Sequence, residues 1–376
     1  MLDAVPGSDG SLQPPPLDRD RYVPALLTRM GERLAMRELS PRTRAAMTPL
    51  FVVHPIDDDP ETGLPVRSVA DHLGKLARQL AKDWGDGPAF VDLRFVDTSQ
   101  PVDGLHAVSW FVQLCRDAGL LLAPVISGSH DPAYRAAAVD TSRTVGTAIA
   151  LRLGPSEWPH IGTPLGDGHV LGLLGETGRP PAEVHLIIDI EQLTGAPDVT
   201  AAALRPALRS LPHGTEWASL VLIGTGMPNG TREIGRDGER HLPRLEWALW
   251  RSLNDRDYRR PTFGDYGVQS PDPITDFDPR YMDSAAQLRY TTANNWYVVR
   301  GRAVKASGTG QIHQLAARIV GQPAIYSGET YSWGDGWLSD CASHRVGAGN
   351  QGVWRKVTTN HHLTFVVDQL ASHHGL

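Results

Sequence analysis

The chain has 376 residues, and 36 Lys+Arg against 42 Asp+Glu leave a net charge of −6. That balance excludes a protein that coats nucleic acid or an anionic membrane through bulk charge, although a local basic groove is still open to it. Its 41% of hydrophobic residues is an ordinary globular share, enough to bury one large core or two ordinary ones.

Residues 1–20 carry Pro14-Pro15-Pro16 and have neither a basic start nor a continuous apolar stretch. They read as a flexible leader rather than a signal peptide. No window reaches the ~18 uninterrupted apolar residues of a membrane span. After the leader, short apolar runs alternate with longer amphipathic stretches. The runs cover 22–28, 49–54, 89–94, 120–127, 147–153, 184–190, 218–224 and 261–268. Several are apolar at consecutive positions, as parallel strands buried on both faces are. Helical spacing is expected over 31–47, 69–84, 105–118, 201–211 and 242–253, and the Gly- and Pro-rich stretch 154–181 reads as an elaborated loop with some helix. Eight strands alternating with helices over about 250 residues predict a (β/α)8 TIM-like barrel across 21–271. A doubly wound sheet is the rival, but Thr28-Arg29-Met30-Gly31 is no dinucleotide turn. Residues 272–376 are aromatic- and Gly-rich with one clear helix at 311–320, and read as a C-terminal extension packed on the barrel.

Two cysteines, Cys115 and Cys341, provide neither a disulfide framework nor a Cys-based zinc site, and a reducing cytoplasm is the expected location. Only four of the 36 basic residues are Lys (Lys75, Lys82, Lys305 and Lys356), and none stands at an expected strand end, which disfavours Schiff-base chemistry. A binuclear His-x-His pattern after the first strand is missing too, as is a Glu pair at the fourth and seventh strand ends.

In a barrel, function gathers at the C-terminal ends of the strands. The polar residues expected there are Arg29, His54, Asp92 with Arg94, Ser127, Ser129 and His130, Arg152, Asp189 with Glu191, Thr225, and Asp265 with Tyr266. A carboxylate in a run such as VHLIIDI is costly unless it is paired or faces water. Ion pairs that fix strand register are one reading of these charges. A divalent-metal site, or a division of general-acid and general-base roles among three carboxylates, is another. Arg29, Arg94, Arg152, Arg289 and Arg300 are candidate clamps on phosphate or carboxylate. Gly224-Thr225-Gly226 is either an anion cradle or, more simply, a plain turn. His361-His362 precedes the apolar run 363–367; in a strand the two rings would point to opposite sides, leaving one as a core group and the other as a proton-transfer candidate. Late aromatics such as Tyr266, Tyr290, Trp333 and Trp354 read first as glue for the extension, and second as stacking platforms.

Ordered along the chain are Arg21-Tyr22-Val23-Pro24, Gly31-Glu32, Val91-Asp92-Leu93, Ile188-Asp189-Ile190, Gly264-Asp265-Tyr266, Arg289-Tyr290-Thr291, Ser332-Trp333-Gly334-Asp335, Trp354-Arg355-Lys356 and Asn360-His361-His362. Together these segments resemble the bacterial and phage family known as beta family proteins, from Arg21 to about Gln369. The resemblance implies a barrel-like fold with a C-terminal extension, and an association with phage-defence or mobile-element genes rather than a named reaction. The family's first strand usually ends in a Lys-containing segment. Here Arg29 stands in that stretch, so any lysine role passes to it.

The expected function is a pocket at the C-terminal barrel face, closed by 328–362, that binds a small phosphate-bearing anion such as a nucleotide or a nucleic-acid end, with hydrolysis of that ligand as a further option. Asp189 and Asp265 are expected as acid/base groups or metal ligands and His362 as a proton carrier. Arg94, Arg152, Arg29, Asp92, Tyr266 and Asp335 are expected to hold the ligand. The alternative is a non-catalytic scaffold or sensor that meets a protein partner in a phage or defence system.

Overall fold

The structure is a computed structural model that describes residues 21–158, 162–253, 258–272 and 284–374; the expected leader lies outside them. Eight parallel strands close into a ring: β1 (Val23–Leu27), β2 (Leu50–Val52), β3 (Ala89–Asp92), β4 (Leu122–Ile126), β5 (Ile149–Leu153), β6 (Val184–Gln192), β7 (Ser219–Thr225) and, after the intervening β8 (Glu239–Pro243), β9 (Thr262–Asp265). Closure is explicit in the register, because β1 pairs with β2 through Ala25 and Leu50 and with β9 through Val23 and Gly264. Every expected strand run overlaps one of the eight, with β6 and β7 extending one or two residues beyond theirs. The fold is a TIM-like (β/α)8 barrel.

The helices between the strands start and stop where their local chemistry says. After β1 come α1 (Met30–Arg37) and α2 (Pro41–Ala45). One helix was expected over 31–47, but Ser40 caps a new start by accepting from the Thr43 N–H, and Pro41 at the first helical position cannot continue the helix before it. Then follow α3 (Val69–Asp83), capped by Ser68, and α4 (Ala107–Asp117). Next is α5 (Pro132–Val145), which begins at the Asp131 cap and stops at Gly146 with φ 73°. The 154–181 stretch holds α6 (Pro164–Thr177), capped by Thr163, and α7 (Pro197–Arg209) follows β6. Where a single helix was expected over 242–253, strand β8 precedes α8 (Leu245–Ser252).

Strand β8 leaves the barrel to pair antiparallel with β11 (Asn295–Ala303), which also pairs with β10 (Ala285–Thr291). A loop of the barrel thus supplies the edge of the extension's sheet. Beyond that sheet lie α9 (Val304–Ser307), α10 (Gln311–Val320), α11 (Trp333–Ala342) and α12 (Gln351–His374). The strand-like reading of 361–367 is corrected here, since both histidines sit on α12, a 24-residue helix about 36 Å long. Its middle, Val357 to Leu363, is buried at every position, so it carries no amphipathic period to betray a helix.

Alternation along each strand divides the barrel's residues between two cores. Val23, Ala25, Leu50, Phe90, Val125 and Ile187 fill the lumen. Residues of the opposite parity, such as Leu26, Phe51, Val91 and Ile188, join the helices in the outer layer. The extension has its own core around Leu288, Tyr290, Ile312 and Trp354. No helix among the described residues is long and apolar enough to cross a membrane.

Candidate functional site

The C-terminal end of the lumen is polar. Parity places Asp92, Arg152 and Asp189 there from β3, β5 and β6, and Tyr266 joins them just after β9. Arg152 donates through Nη1 to Asp92 Oδ2 at 2.5 Å, through Nε to Asp189 Oδ2 at 2.8 Å, and through Nη2 to the Tyr266 hydroxyl at 2.8 Å; Nη2 also reaches Asp189. The Tyr266 hydroxyl in turn donates to Asp189 Oδ2 at 2.6 Å. On the far side of Asp92, Oδ1 accepts from the Arg94 backbone at 2.9 Å and from His130 Nε2 at 3.1 Å. The His130 Nδ1 accepts from the Ser127 N–H, which puts the ring proton on Nε2 and makes it the donor to Asp92.

This cluster is sealed. Arg152 is 3% exposed, Asp92 1% and Asp189 0%. Burial opposes the charged form of Asp92, yet His130, Arg152 and Arg94 hold its carboxyl below the usual carboxylate range. Burial also disfavours the charged Arg152, but Tyr266, Asp189 and Asp92 raise its pKa well above the ordinary value. Burial raises the Tyr266 phenol, which therefore stays neutral. A β-bulge finishes the arrangement: Glu191 adopts φ 56°, and its N–H donates to Asp189 Oδ1 at 2.8 Å. The Glu191 side chain pairs with Arg94 at 2.8 Å, and both are partly exposed above the cluster. Arg152 and Arg94, expected as ligand clamps, are thus already bound to carboxylates.

The expectation that Asp189 and Asp265 share one pocket is corrected. Asp265 has the opposite parity to Tyr266 and points into the layer outside the barrel. There its Oδ1 accepts from the Tyr22 hydroxyl and the Gly267 N–H, and its Oδ2 from His362 Nε2 at 3.0 Å. The other ring nitrogen of His362 meets Thr291 Oγ1 at 2.8 Å. The neighbouring His361 bridges Asp335 Oδ2 and the Thr291 carbonyl, each at 2.9 Å, and Asp335 also accepts from Tyr290 and Ser332. Asp265, His362, Asp335 and His361 are all fully buried. These two Asp–His pairs, one residue apart on α12, join the helix to the barrel on one side and to the extension on the other. Among the described residues no group of three or more His, Cys, Asp or Glu is placed to hold a metal ion. In the lumen, the guanidinium of Arg152 occupies the space between the two carboxylates.

The Gly224-Thr225-Gly226 segment is a packed turn. The Gly226 N–H donates to Glu246 Oε2 at 3.0 Å, and a Cβ on Gly226 would fall 2.9 Å from Leu245. Arg300 donates to the Ile234 carbonyl at 2.8 Å and so braces the extension's sheet.

The open feature lies beside the sealed cluster, at the C-terminal ends of β1, β2 and β9. It is a cleft of about 1030 Å³ roofed by β10 and the first turns of α12. Of the expected closing segment 328–362, residues 351–358 form part of this roof. Arg29, Arg289 and Arg355 line it, from the β1–α1 turn, β10 and α12 respectively. Arg29 and Arg355 make no ion pair among the described residues. Arg289 donates to the Val268 carbonyl, and burial together with the like charge of Arg355 lowers its pKa to about 10. Arg355 is likewise lowered by burial and further by Arg29, with Glu32 opposing. Asp57, Asp58 and Asp272 stand in the same lining. Of these residues only Arg29 and Arg289 stood out as clamps in the sequence. Arg355 and Glu32 lie inside motifs but away from any strand end, where barrel logic does not look.

The chain is thus a β/α barrel with a C-terminal helical and sheet extension, a sealed charge cluster in the lumen and an arginine-lined cleft beside it. The model of the Beta protein family matches residues 22–368, and the chain belongs to that family. Among solved structures, a mutant tryptophan synthase α-subunit from the hyperthermophile Pyrococcus furiosus is 12% identical, with a TM-score of 0.36 over 66% of this chain and 87% of that one. Triosephosphate isomerase from Bartonella henselae is 14% identical, with a TM-score of 0.34 over 65% and 91%. No curated protein matches the chain.

Proposed function

We propose that the chain binds a phosphate-bearing ligand of about nucleotide size in the cleft at the C-terminal barrel face. The observation that carries this reading is the convergence of Arg29, Arg289 and Arg355 on one open cavity. None of these guanidinium groups makes an ion pair among the described residues, and burial together with the like charge of a neighbour disfavours the charged forms of Arg289 and Arg355. An anion between them relieves that repulsion and satisfies their free N–H donors. At about 1030 Å³ the cleft is at the upper end of the usual size for small-molecule sites. The carboxylates of Asp57, Asp58 and Asp272 suit hydroxyl or amino donors elsewhere on the same ligand, as on a sugar or base. A phosphorylated nucleic-acid end offers the same groups.

Calorimetric titration with nucleoside mono- and diphosphates tests this. Arg289→Ala with Arg355→Ala is expected to weaken binding by at least about a hundredfold, since removing a hydrogen bond to a charged group costs roughly 1.5–3 kcal/mol. A double variant that binds as the wild type does, or a wild type that binds no phosphate compound, overturns the reading.

The lumen cluster favours a second reading for its own residues. Asp92, Arg152 and Asp189 neutralise one another in a sealed space, which is what internal struts do. A barrel braced in this way also suits a non-catalytic sensor whose ligand or protein partner is met at the cleft.

A further inference from the structure

Glu32, in the first turn of α1, is on the wall of the same cleft. It is 2% exposed, and its Oε2 is a buried oxygen without a hydrogen-bond partner among the described residues. A buried acceptor left without a donor costs free energy that a plain packing residue would avoid. The charges that act on it are Arg355 from α12 and Arg29 from the β1–α1 turn. Arg33, the other cation on its side of α1, is turned away into Asp83 at 2.5 Å. Burial outweighs the two arginines and lifts the Glu32 carboxyl to about 7, so it can hold or release a proton near neutrality. The backbone keeps the group in place: a Cβ on Gly31 would fall 2.8 Å from the Gly352 carbonyl, so α1 and α12 are in close contact at this point.

We propose that Glu32 is the specificity-determining group of the cleft, its Oε2 accepting a hydrogen bond that the O–H of a bound phosphate donates, and so rejecting anions of the same shape that carry no proton, sulfate above all. The inference rests on the anion-binding reading of the cleft. The three arginines attract any tetrahedral oxyanion and cannot tell phosphate from sulfate. Hydrogen phosphate still carries an O–H in mildly alkaline solution, and that O–H can donate to an ionised Glu32. Sulfate has no proton, so it would set an oxygen lone pair against a buried carboxylate. A site built around one hydrogen bond rejects an analogue that lacks it far more strongly than a merely apolar site does. A phosphate monoester loses its second proton near pH 6, so its binding here is accompanied by proton uptake.

The test is titration calorimetry of the full chain with inorganic phosphate and with sulfate at about pH 8.5 and about pH 6, for wild type and Glu32→Gln. At the higher pH, where Glu32 is ionised, the wild type is expected to prefer phosphate by at least about tenfold. The preference shrinks at the lower pH, where the carboxyl carries its own proton and donates to either anion. In Glu32→Gln the amide donates to both anions at both pH values, and the two affinities converge. Equal affinities in the wild type at the higher pH overturn the role of Glu32 but leave the arginine site standing, as does a Gln variant that keeps the full preference. Absence of binding for both anions overturns the arginine site and this inference with it. If the Gln variant does not fold, Glu32→Asp, which draws the carboxyl back by one methylene, is expected to lower the phosphate preference; an unchanged ratio there also overturns the proposal.

Discussion

At the scale of single residues, Arg152 decides how the barrel's open end is built. Its guanidinium neutralises two buried carboxylates and fixes the Tyr266 hydroxyl between itself and Asp189. Replacing it by Met leaves Asp92 and Asp189 buried with no cation between them, and breaking a buried pair in this way costs about 3–5 kcal/mol. Urea unfolding of Arg152→Met should show a loss of that size. Tyr266→Phe removes one hydroxyl and is expected to cost only about 1–2 kcal/mol. If Arg152→Met keeps wild-type stability and instead loses phosphate binding, Arg152 serves a ligand after all and is no strut. The sequence points to this cluster well, because strand parity and the cost of a lone charge in VHLIIDI together demand a partner. It does not say which parity faces inward at β9. Asp265 and Tyr266 are adjacent, and either could have faced the lumen; only the closed ring assigns the position to Tyr266.

Among the elements, α12 ties the molecule together, and its packing leaves little slack. A Cβ on Gly334 would fall 2.3 Å from the Val357 carbonyl, which is backbone and cannot swing aside. Gly334→Ala must therefore push α11 off α12, at an expected cost of about 1–3 kcal/mol or more, visible as a lowered thermal midpoint. A variant as stable as the wild type would show that the two helices can slide. Gly31→Ala makes the corresponding intrusion between α1 and α12 and should also reshape the wall beside Glu32. The eight barrel strands are legible because each is a short apolar run bounded by turn residues. Helix α12 is not, since residues 357–363 are buried at every position and the β-branched and aromatic run after His362 looks like a strand. The β10–β11 hairpin escapes for a different reason: its third strand, β8, comes from a distant barrel loop, a pairing that local pattern cannot reveal. The cleft is hidden in the same way. Arg29, Arg289 and Arg355 are widely separated in the chain and meet only when the extension folds back over β1.

For the whole molecule, the buried histidines predict how stability follows pH. Burial lowers the pKa of His54 to about 3 and that of His185 to about 4, and lowers His362 as well. The folded chain therefore holds fewer protons on these rings than the unfolded chain does between about pH 4 and the ordinary histidine value near 6.5. Stability is then full above that value and falls as the pH drops through the window, because the unfolded chain takes up protons first. Asp92, Asp265 and Asp335, all held below their ordinary pKa, add a further loss of the same sign below about pH 4. Glu32 and Glu246, both lifted to about 7, act in the opposite sense and take stability away as the pH rises from about 4.5 to 7. The histidines and aspartates outnumber them, so the thermal midpoint should plateau at and above neutrality and fall steeply below about pH 6. Removing the opposing group sharpens the test. Glu32→Gln should unfold at a higher temperature than the wild type at about pH 8 and at the same temperature near pH 4, where both side chains are neutral. A wild-type profile that peaks below about pH 5 would mean that the rings are charged in the folded barrel, and His54 and His185 would then need acceptors that their present partners, Thr28 and Ser219, supply only as hydroxyls.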